Sequence, residues 1–494
     1  MKFGVLLGAL GVTTFTASAG SSRRSLQDHT VRMDKELLIT STAVVDSPLA
    51  EYPGPWSFGH LMEQAFGKDK APAVTARWLE RWRTGVFPQE NGRPNLVLPP
   101  RNDLGALLIT PWQRKDGHEP DSGREWIPDF ENAPFRLLAI VNRMDLAVPL
   151  ENHLNPQTPS GSFRGSYSGG NDVVEADAGE GRLVFGVIDA SGQPVQPGMT
   201  LIFEYGLDIG GQRERLFDWA MAWHRLGTFQ DFDGTYRGEL AKLTRAFTDR
   251  LDERQATIST GPRDRSLHER LQDRAENRPI SLMRIRTNDG AFGVTREFRE
   301  FTVEDDTLHP APMAGTPREE FFQKGSRDNR WLARWLQDQR NRQILLARQE
   351  DLPVPPIPSA FELPRGARAN GLPVTAVVSP VAENNANYHW DGWGLNNAEL
   401  RRSFSMQTCC GCHCGDTNTP FFHIAPRQAG QPATISQYLR TNGKRWRVRD
   451  PGNKRSLLST EMEDRKRLFE SILNPDLRHR EIQKIRERRS GREH

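Results

Sequence analysis

The stretch Phe135-Arg-Leu-Leu-Ala-Ile-Val-Asn-Arg-Met-Asp-Leu146 begins as a largely apolar run and ends in polar residues. Large and β-branched apolar residues over this length predict a buried β-strand from Phe135 to Val141, and the polar end predicts a turn into a loop. Asn142, Arg143 and Asp145 stand at that strand end, where they could line a site. A structural ion pair between Arg143 and Asp145 is the simpler interpretation.

Further strands are predicted on both sides of this run. Two β-rich segments flank the turn-forming residues Ser191-Gly-Gln-Pro194, and two others flank Asn288-Asp-Gly290, so each set indicates an antiparallel pair. The predicted strands besides the opening run are Glu36–Thr40, Leu104–Ile109, Arg182–Asp189, Met199–Tyr205, Pro279–Thr287, Val294–Val303 and Val374–Val378.

Apolar residues recur at helical spacing in other segments. Three of these segments carry two tryptophans four residues apart, and such a pair lies on one helix face. We interpret the pairs as aromatic stripes that face the core, with a carbohydrate or cofactor platform as the alternative. The predicted helices are two within Phe58–Trp82, Glu214–Leu226, Tyr236–Asp252 and Arg318–Gln349, and the tryptophan pairs are Trp78/Trp82, Trp219/Trp223 and Trp331/Trp335.

These elements predict an α+β fold: a mixed body with antiparallel strands and several helices, plus a small, mainly α-helical C-terminal module. A chain of 494 residues exceeds one ordinary core. We therefore predict an α+β body over residues 46–350, a proline-rich linker over 351–386, the module over 387–480 and a basic tail over 481–494. Residues 401–494 carry a net charge of +10, and the preceding 400 residues carry −7.

The first residues have the pattern of an export signal. Lys2 is followed by an apolar run and then by Ala17-Ser-Ala19, a small-residue cleavage site, which predicts a signal peptide over residues 1–19. Residues 20–45 are polar at their start and predict a tether. The mature chain is therefore expected in the periplasm or outside the cell, without a membrane span, and nucleic acid is an improbable partner there.

All four cysteines fall within six consecutive positions, in Thr408-Cys-Cys-Gly-Cys-His-Cys-Gly415. Cys409, Cys412 and His413 spell C-x-x-C-H, the attachment pattern for a covalent c-type haem. Two thiols one helical turn apart can reach the two vinyl groups of one porphyrin. The adjacent histidine then lies below the iron and can supply its proximal ligand.

The surroundings of this motif resemble the start of a small monohaem cytochrome c domain. An amphipathic segment, Asn397–Met406, leads into it, as a helix does in that family. The resemblance implies Cys409 and Cys412 as thioether anchors and His413 as the proximal ligand. It also implies a proline carbonyl, here of Pro426, that accepts the other ring N–H of the histidine.

The sixth iron ligand in that family is usually a methionine in a loop before the C-terminal helix. Met462 is the best positional match, and a His/Met pair would suit electron transfer. His423 and His389 are the rivals for this position. The extra thiols of Cys410 and Cys414 have no role in the family pattern.

Two other interpretations of the cysteines stay open. Zinc or another soft metal could use Cys409, Cys412 and His413 together with His423 or Cys414. Disulfides are natural in an exported protein, but here they could close only tiny loops and would add little stability.

The function expected from the leading interpretation is electron transfer or redox sensing with haem c, with an acidic protein as the redox partner. The alternative is a non-redox extracellular binding or structural protein that holds zinc or another metal. The run that opens this section, together with Gly179–Gly186, resembles the core of a group of exported bacterial proteins, from which no activity follows. The sequence assigns no catalytic residue.

Overall fold

The computed structural model describes the chain in segments that together contain the body and most of the cysteine-rich region. The described residues are 30–89, 95–115, 126–147, 178–207, 213–250, 282–290, 296–304, 306–311, 321, 323–338, 378–381, 390–406, 408–413, 415–442, 446–450, 456–459 and 461–474. The predicted signal peptide and basic tail lie outside these residues.

The centre of the fold is an antiparallel sheet of eight strands, in the order β1-β4-β5-β6-β7-β8-β10 with β9 also paired to β8. Its strands are β1 Leu38–Ile39, β4 Phe135–Arg143, β5 Glu180–Val187, β6 Met199–Gly206, β7 Leu282–Asp289, β8 Arg296–Glu304, β9 Thr307–Ala311 and β10 Val378–Val381. Two small hairpins pair β2 Val86–Phe87 with β3 Leu96–Val97 and β11 Trp446–Arg449 with β12 Ser456–Ser459.

The described helices surround this sheet. They are α1 Met33–Glu36, α2 Thr42–Val45, α3 Phe58–Phe66, α4 Ala71–Thr84, α5 Thr110–Lys115, α6 Arg213–His224, α7 Gly234–Thr248, α8 Arg327–Gln337, α9 Ala398–Ser405, α10 Cys409–Cys412 and α11 Glu461–Leu473. The predicted α+β class, with an antiparallel sheet and several helices, is confirmed. The two antiparallel pairs predicted on either side of the 191–194 and 288–290 turns are also confirmed.

One face of the sheet carries the main apolar core, with a buried ionic cluster of Arg101, Asp289 and Glu297 at the end of β7 and β8. The ring of Phe58 on α3 stacks on that of Phe135 with centroids 4.0 Å apart, and it meets Phe185 and Phe203 edge-on. A Cβ on Gly181 of β5 would collide with the ring of Phe247 on α7, so this helix lies directly on the same face. Each fully buried side chain of this size contributes about 1.5–3 kcal/mol of apolar transfer free energy.

The tryptophan pairs belong to cores, as predicted. Trp78 and Trp82 are buried, and their rings stack on each other 5.5 Å apart above Phe301 of β8. Trp223 is buried in the same core, and Trp219 packs against it. The pair on α8, Trp331 and Trp335, packs on a second, smaller cluster.

The opposite face of the sheet is charged. Because side chains alternate between faces along a strand, the even-numbered residues of β5 to β8 share this side. Charged residues occupy matching positions on these four strands, where opposite charges face each other across the ladder. We call this set the Arg–Glu ladder; its members are Glu180, Arg182, Glu204, Arg284, Arg286 and Glu300.

The C-terminal segment covers the charged face. A Cβ on Gly186 of β5 would lie 3.1 Å from Pro426, and a Cβ on Gly198 would lie 3.1 Å from the ring of Phe422. The buried guanidinium of Arg427 binds both carboxylate oxygens of Asp46, at 2.8 and 2.9 Å, which ties this segment to the end of α2.

The described residues of the predicted C-terminal module share their cores with the body. On α11, Met462, Phe469 and Leu473 are buried in the main core. Before the cysteines, Trp390 and two side chains of α9 instead pack with α8 in the second cluster, whose buried members are Phe321, Leu332, Leu336, Trp390, Leu400 and Phe404.

Three predictions about segments need correction. The run Leu104–Ile109 is helical and continues into α5, because Leu104, Leu108 and Trp112 recur every four residues and are buried together. Residues 30–45 of the predicted tether are part of the core, where Val44 is fully buried. The strand predicted to end at Val378, inside the predicted linker, continues to Val381 as an edge strand against β8.

In the described part of the chain, no helix is both long enough and apolar enough to cross a bilayer.

The packing of α11 gives a test of the shared core. Because Phe469 is fully buried in the main core, we expect Phe469→Ala to lower the free energy of unfolding by about 3–5 kcal/mol. The whole protein should still unfold in one transition in urea. Lys466→Ala on the same helix removes only a surface pair with Glu470 and should change the value by less than about 1 kcal/mol. A separate, early transition of the C-terminal residues would contradict this assignment.

Candidate metal centre

The cysteine-rich turn is held against α9 by short-range hydrogen bonds. The hydroxyl of Thr408 donates to the carbonyl of Ser405 at 2.7 Å and accepts from the Gly411 N–H at 3.0 Å, which caps the first turn of α10. A Cβ at position 411 would overlap the Ser405 carbonyl oxygen, so only glycine fits there. This turn places Cys409 and Cys412 one helical turn apart, and both are thiols.

Buried charges fix the loop that follows the turn. The guanidinium of Arg401 on α9 donates to Asp416 at 2.7 Å and to Asp450 at 3.0 Å, and all three side chains are buried. The hydroxyl of Ser405 also donates to Asp416. The chain after His413 therefore cannot move away from α9 without separating buried charges, which typically costs several kcal/mol.

A second segment brings another histidine to this turn. The backbone of His423 accepts a hydrogen bond from the Ser436 N–H at 2.8 Å, and Ile424 forms a bridge with Ile435. The hydroxyl of Ser436 also contacts Nδ1 of His423 at 2.9 Å. Nδ1 of His423 is thus contacted both by Ser436 and, at 3.4 Å, by the hydroxyl of Thr419.

Cys412, His413 and His423 form a group that can hold a metal ion. Each offers one ligand atom, and these atoms all lie within 4.8 Å of one another. Sγ of Cys412 is 3.4 Å from Nε2 of His423, and the two imidazole centroids are 4.3 Å apart. The distances suit a single ion that would enter between the three side chains.

Hydrogen bonds at the far side of each ring select the nitrogen that faces the group. Nδ1 of His413 lies 2.7 Å from the carbonyl oxygen of Phe421, which can only accept, so this nitrogen carries the proton. Nδ1 of His423 is taken by Ser436. Nε2 of His413 therefore keeps its lone pair for an ion, and Nε2 of His423 is the nitrogen that faces Sγ of Cys412, an arrangement typical of histidine ligands.

Desolvation sets the protonation states of the group. It lowers the pKa of His413 to about 4, although the bond to Phe421 works in the opposite direction. It also lowers the pKa of His423 well below its usual value, with a further contribution from His413. Desolvation raises the pKa of Cys412 to about 12, with the charge of Glu461 as the next cause. At neutral pH the imidazoles are neutral ligands and the thiol is protonated.

The start of α11 borders the group. The ring of Tyr438 lies 5.2 Å from that of His423, and its hydroxyl is hydrogen-bonded to Glu461. Glu461 in turn accepts from Arg465, at 2.7 Å from Nε. A line of polar contacts therefore runs from the imidazole of His423 to the first turn of this helix.

The structure places the predicted site residues at different distances from the ion-binding group. Cys409 precedes the group in the same turn, although the ligand atoms that converge belong to Cys412, His413 and His423. Met462 lies in the first turn of α11, not in a loop, and its side chain is 4% exposed among the core residues. His389, Cys414 and the side chain of Cys410 lie outside the described residues.

Two further expectations concern the supports of the site. The carbonyl that binds His413 belongs to Phe421 rather than to Pro426, which instead packs on β5. The carbonyl of Phe421 can reach His413 because the backbone at Phe421 has a positive φ of 76°, which changes the direction of the chain there. Arg143 and Asp145 form the expected structural ion pair at 2.9 Å. Ser436, Tyr438 and Glu461 carry no local signal that could have assigned them to the site.

Comparison of the chain with protein-family models, with curated proteins and with solved structures gave no match. The interpretation of the site rests on its own geometry.

Ion binding should release protons in a number that identifies the thiol ligands. Because Cys412 is protonated below pH about 12 while both imidazoles are already neutral at pH 7, we expect about one proton to be released per zinc ion. The apparent association constant should rise about tenfold per pH unit between pH 6 and 8. Calorimetry in buffers of different ionisation enthalpy measures the number. Release of two protons in the original protein but of one in Cys409→Ser would mean that the thiol of Cys409 joins the ion, since a zinc-bound water can also release a proton near pH 7. Release of none would exclude Cys412.

Proposed function

We propose that this protein binds one zinc or copper ion through Sγ of Cys412 and Nε2 of His413 and His423. The observation that carries the proposal is the convergence of these three donors from two separate segments, with both Nδ1 atoms already bonded elsewhere. Thiolate and imidazole favour zinc and copper over the hard cations calcium and magnesium, which prefer oxygen ligands.

An ion at this position would join the α10 turn to the segment that contains His423. Because the donors come from separate parts of the chain, part of the binding free energy would appear as folding free energy. A three-ligand set also leaves one position of a tetrahedral ion for water or an external ligand, as in catalytic zinc sites.

We also propose export of the chain after cleavage of residues 1–19, from the signal pattern at its start. An exported protein meets metal ions outside the cytoplasm, where its ion-binding group would be filled after secretion. Mass spectrometry of the secreted protein tests this, since a mature N-terminus at Gly20 is expected. An intact Met1 on protein recovered from outside the cytoplasm would contradict it.

Covalent haem c is the second candidate function. It is favoured by the helical turn that spaces Cys409 and Cys412 and by the backbone carbonyl that fixes His413 with Nε2 available. In this case the protein would transfer electrons or sense redox state, with an acidic protein as partner.

The position of His423 favours a single ion over a haem with two histidine ligands. Nitrogens that bind one metal from opposite sides, at about 2.0–2.1 Å each, would be about 4 Å apart, and their ring centres would be farther apart still. The centroids of His413 and His423 are only 4.3 Å apart. The two rings therefore approach one point from adjacent directions, as in a tetrahedral site.

Two cysteine variants separate the candidates. Under single-ion binding, Cys412→Ser should weaken zinc binding by at least about 100-fold, while Cys409→Ser should change it much less. Under haem attachment, each variant removes one thioether bond, so the two should have similar effects. His423→Gln should also weaken zinc binding strongly, and it should leave covalent haem in place.

The measurement uses protein produced with and without a haem-maturation system. Elemental analysis and competition with a chromogenic chelator give the zinc or copper content and affinity. A Soret band that survives acid–acetone extraction would establish covalent haem and overturn the single-ion proposal. A colourless protein with about one zinc or copper per chain, lost in Cys412→Ser, is the expected result.

A further inference from the structure

Two arginines of the Arg–Glu ladder next to the ion-binding group are partly exposed. The side chains of Arg286 and Arg182 are 28% and 18% exposed. The carboxylates that pair with them are almost completely buried, since Glu204 is 0% exposed and Glu300 is 1% exposed. The atoms of the ladder that solvent reaches beside the C-terminal segment therefore belong mainly to arginines.

The register of the sheet places Arg286 beside His413. The ring of Phe298 on β8 lies 4.7 Å from the imidazole of His413. Phe298 pairs with Asn288 on β7, and Arg286 pairs with Glu300, two positions along on the same face. Arg286 is thus the diagonal neighbour of Phe298, at about 7–8 Å between backbones. The charge of Arg286 also contributes, after desolvation, to the lowered pKa of His413.

Two buried carboxylates hold the guanidinium of Arg286 in position. Its Nε is 3.2 Å from Glu204 and 3.2 Å from Glu300. Although desolvation opposes ionisation, the charges of Arg182, Arg286 and Arg284 keep the pKa of Glu204 below its usual value. Glu204 is therefore ionised at neutral pH, and its ion pair restrains the guanidinium of Arg286 before an external ligand arrives.

We propose that the open coordination position of the ion takes a small oxyanion, a carboxylate or a phosphate group, which Arg286 binds at the same time. This deepens the proposed function, on which it rests, by naming the chemical class of the external ligand. One thiolate cancels only part of the charge of a divalent ion, so the site is positive and attracts anions. Arginine adds a planar pair of donors that matches the oxygens of both groups.

Cobalt(II) is the probe for this test, because its visible bands report the ligands of the ion. Protein with cobalt in place of the native ion is titrated with sodium phosphate and, separately, with sodium acetate at constant ionic strength. We expect a saturable change of the cobalt bands with at least one of the two anions. The stronger binder identifies the ligand as a phosphate or a carboxylate.

Variants at Arg286 distinguish binding of the anion from binding of the metal ion. Arg286→Gln should weaken anion binding about tenfold or more, while its cobalt affinity stays within about threefold of the original. Arg286→Lys keeps the charge but not the planar donor pair, so its anion affinity should lie between those of the original protein and of Arg286→Gln. Arg245→Gln, on an exposed position of α7 that packs on the opposite face of the sheet, is the matched control and should have no effect.

The outcomes distinguish this inference from the proposal on which it rests. Cobalt binding with no saturable response to either anion would overturn the oxyanion site and leave the ion-binding function intact. An equal response in Arg286→Gln and in the original protein would exclude Arg286 from the site. Failure to bind cobalt, zinc or copper at all would overturn the proposed function and the oxyanion site together.

Discussion

The two-sided character of the central sheet is the constraint on which the other features depend. Odd-numbered residues of β5 to β8 face α3, α4 and α7, and even-numbered residues carry the Arg–Glu ladder. Because residues alternate between faces, one register sets both sides at once. An apolar face can be covered by helices, whereas buried ion pairs need partners with polar groups. The irregular C-terminal segment that covers this face brings charged side chains of its own, which pair with the body in Arg427–Asp46 and Arg465–Asp145.

The position of the candidate metal centre follows from this arrangement. The segment that covers the ladder is anchored by Arg427 on Asp46 and by the apolar side of α11 in the main core. The turn of α10 and the segment of His423 therefore meet over the charged face, near Phe298 and Arg286. Loss of solvent, and then nearby positive charges, lower the pKa of both imidazoles, which keeps them in the neutral form that binds a metal ion.

Much of the fold could be predicted from periodicity, and the exceptions have physical causes. The opening strand, the two antiparallel pairs and the helices around Trp78 and Trp219 follow from spacing alone. The apolar run Leu104–Ile109 predicts a strand, but it is helical, because a run of six apolar residues is too short for its periodicity to distinguish a buried strand from a buried helical turn. The predicted tether ends in core residues because short apolar groups such as Val44 and Val45 give no periodic signal.

By itself, the sequence determined the local half of the candidate site. The spacing of Cys409, Cys412 and His413 places them on one helical turn, and helix geometry requires no other part of the chain for this. The partners that complete the site were decided by tertiary structure. His423 and Ser436, the Phe421 carbonyl, Glu461 and Arg286 come from separate segments. Their convergence depends on sheet register and on the packing of α11, which are properties of the whole fold that local spacing does not encode.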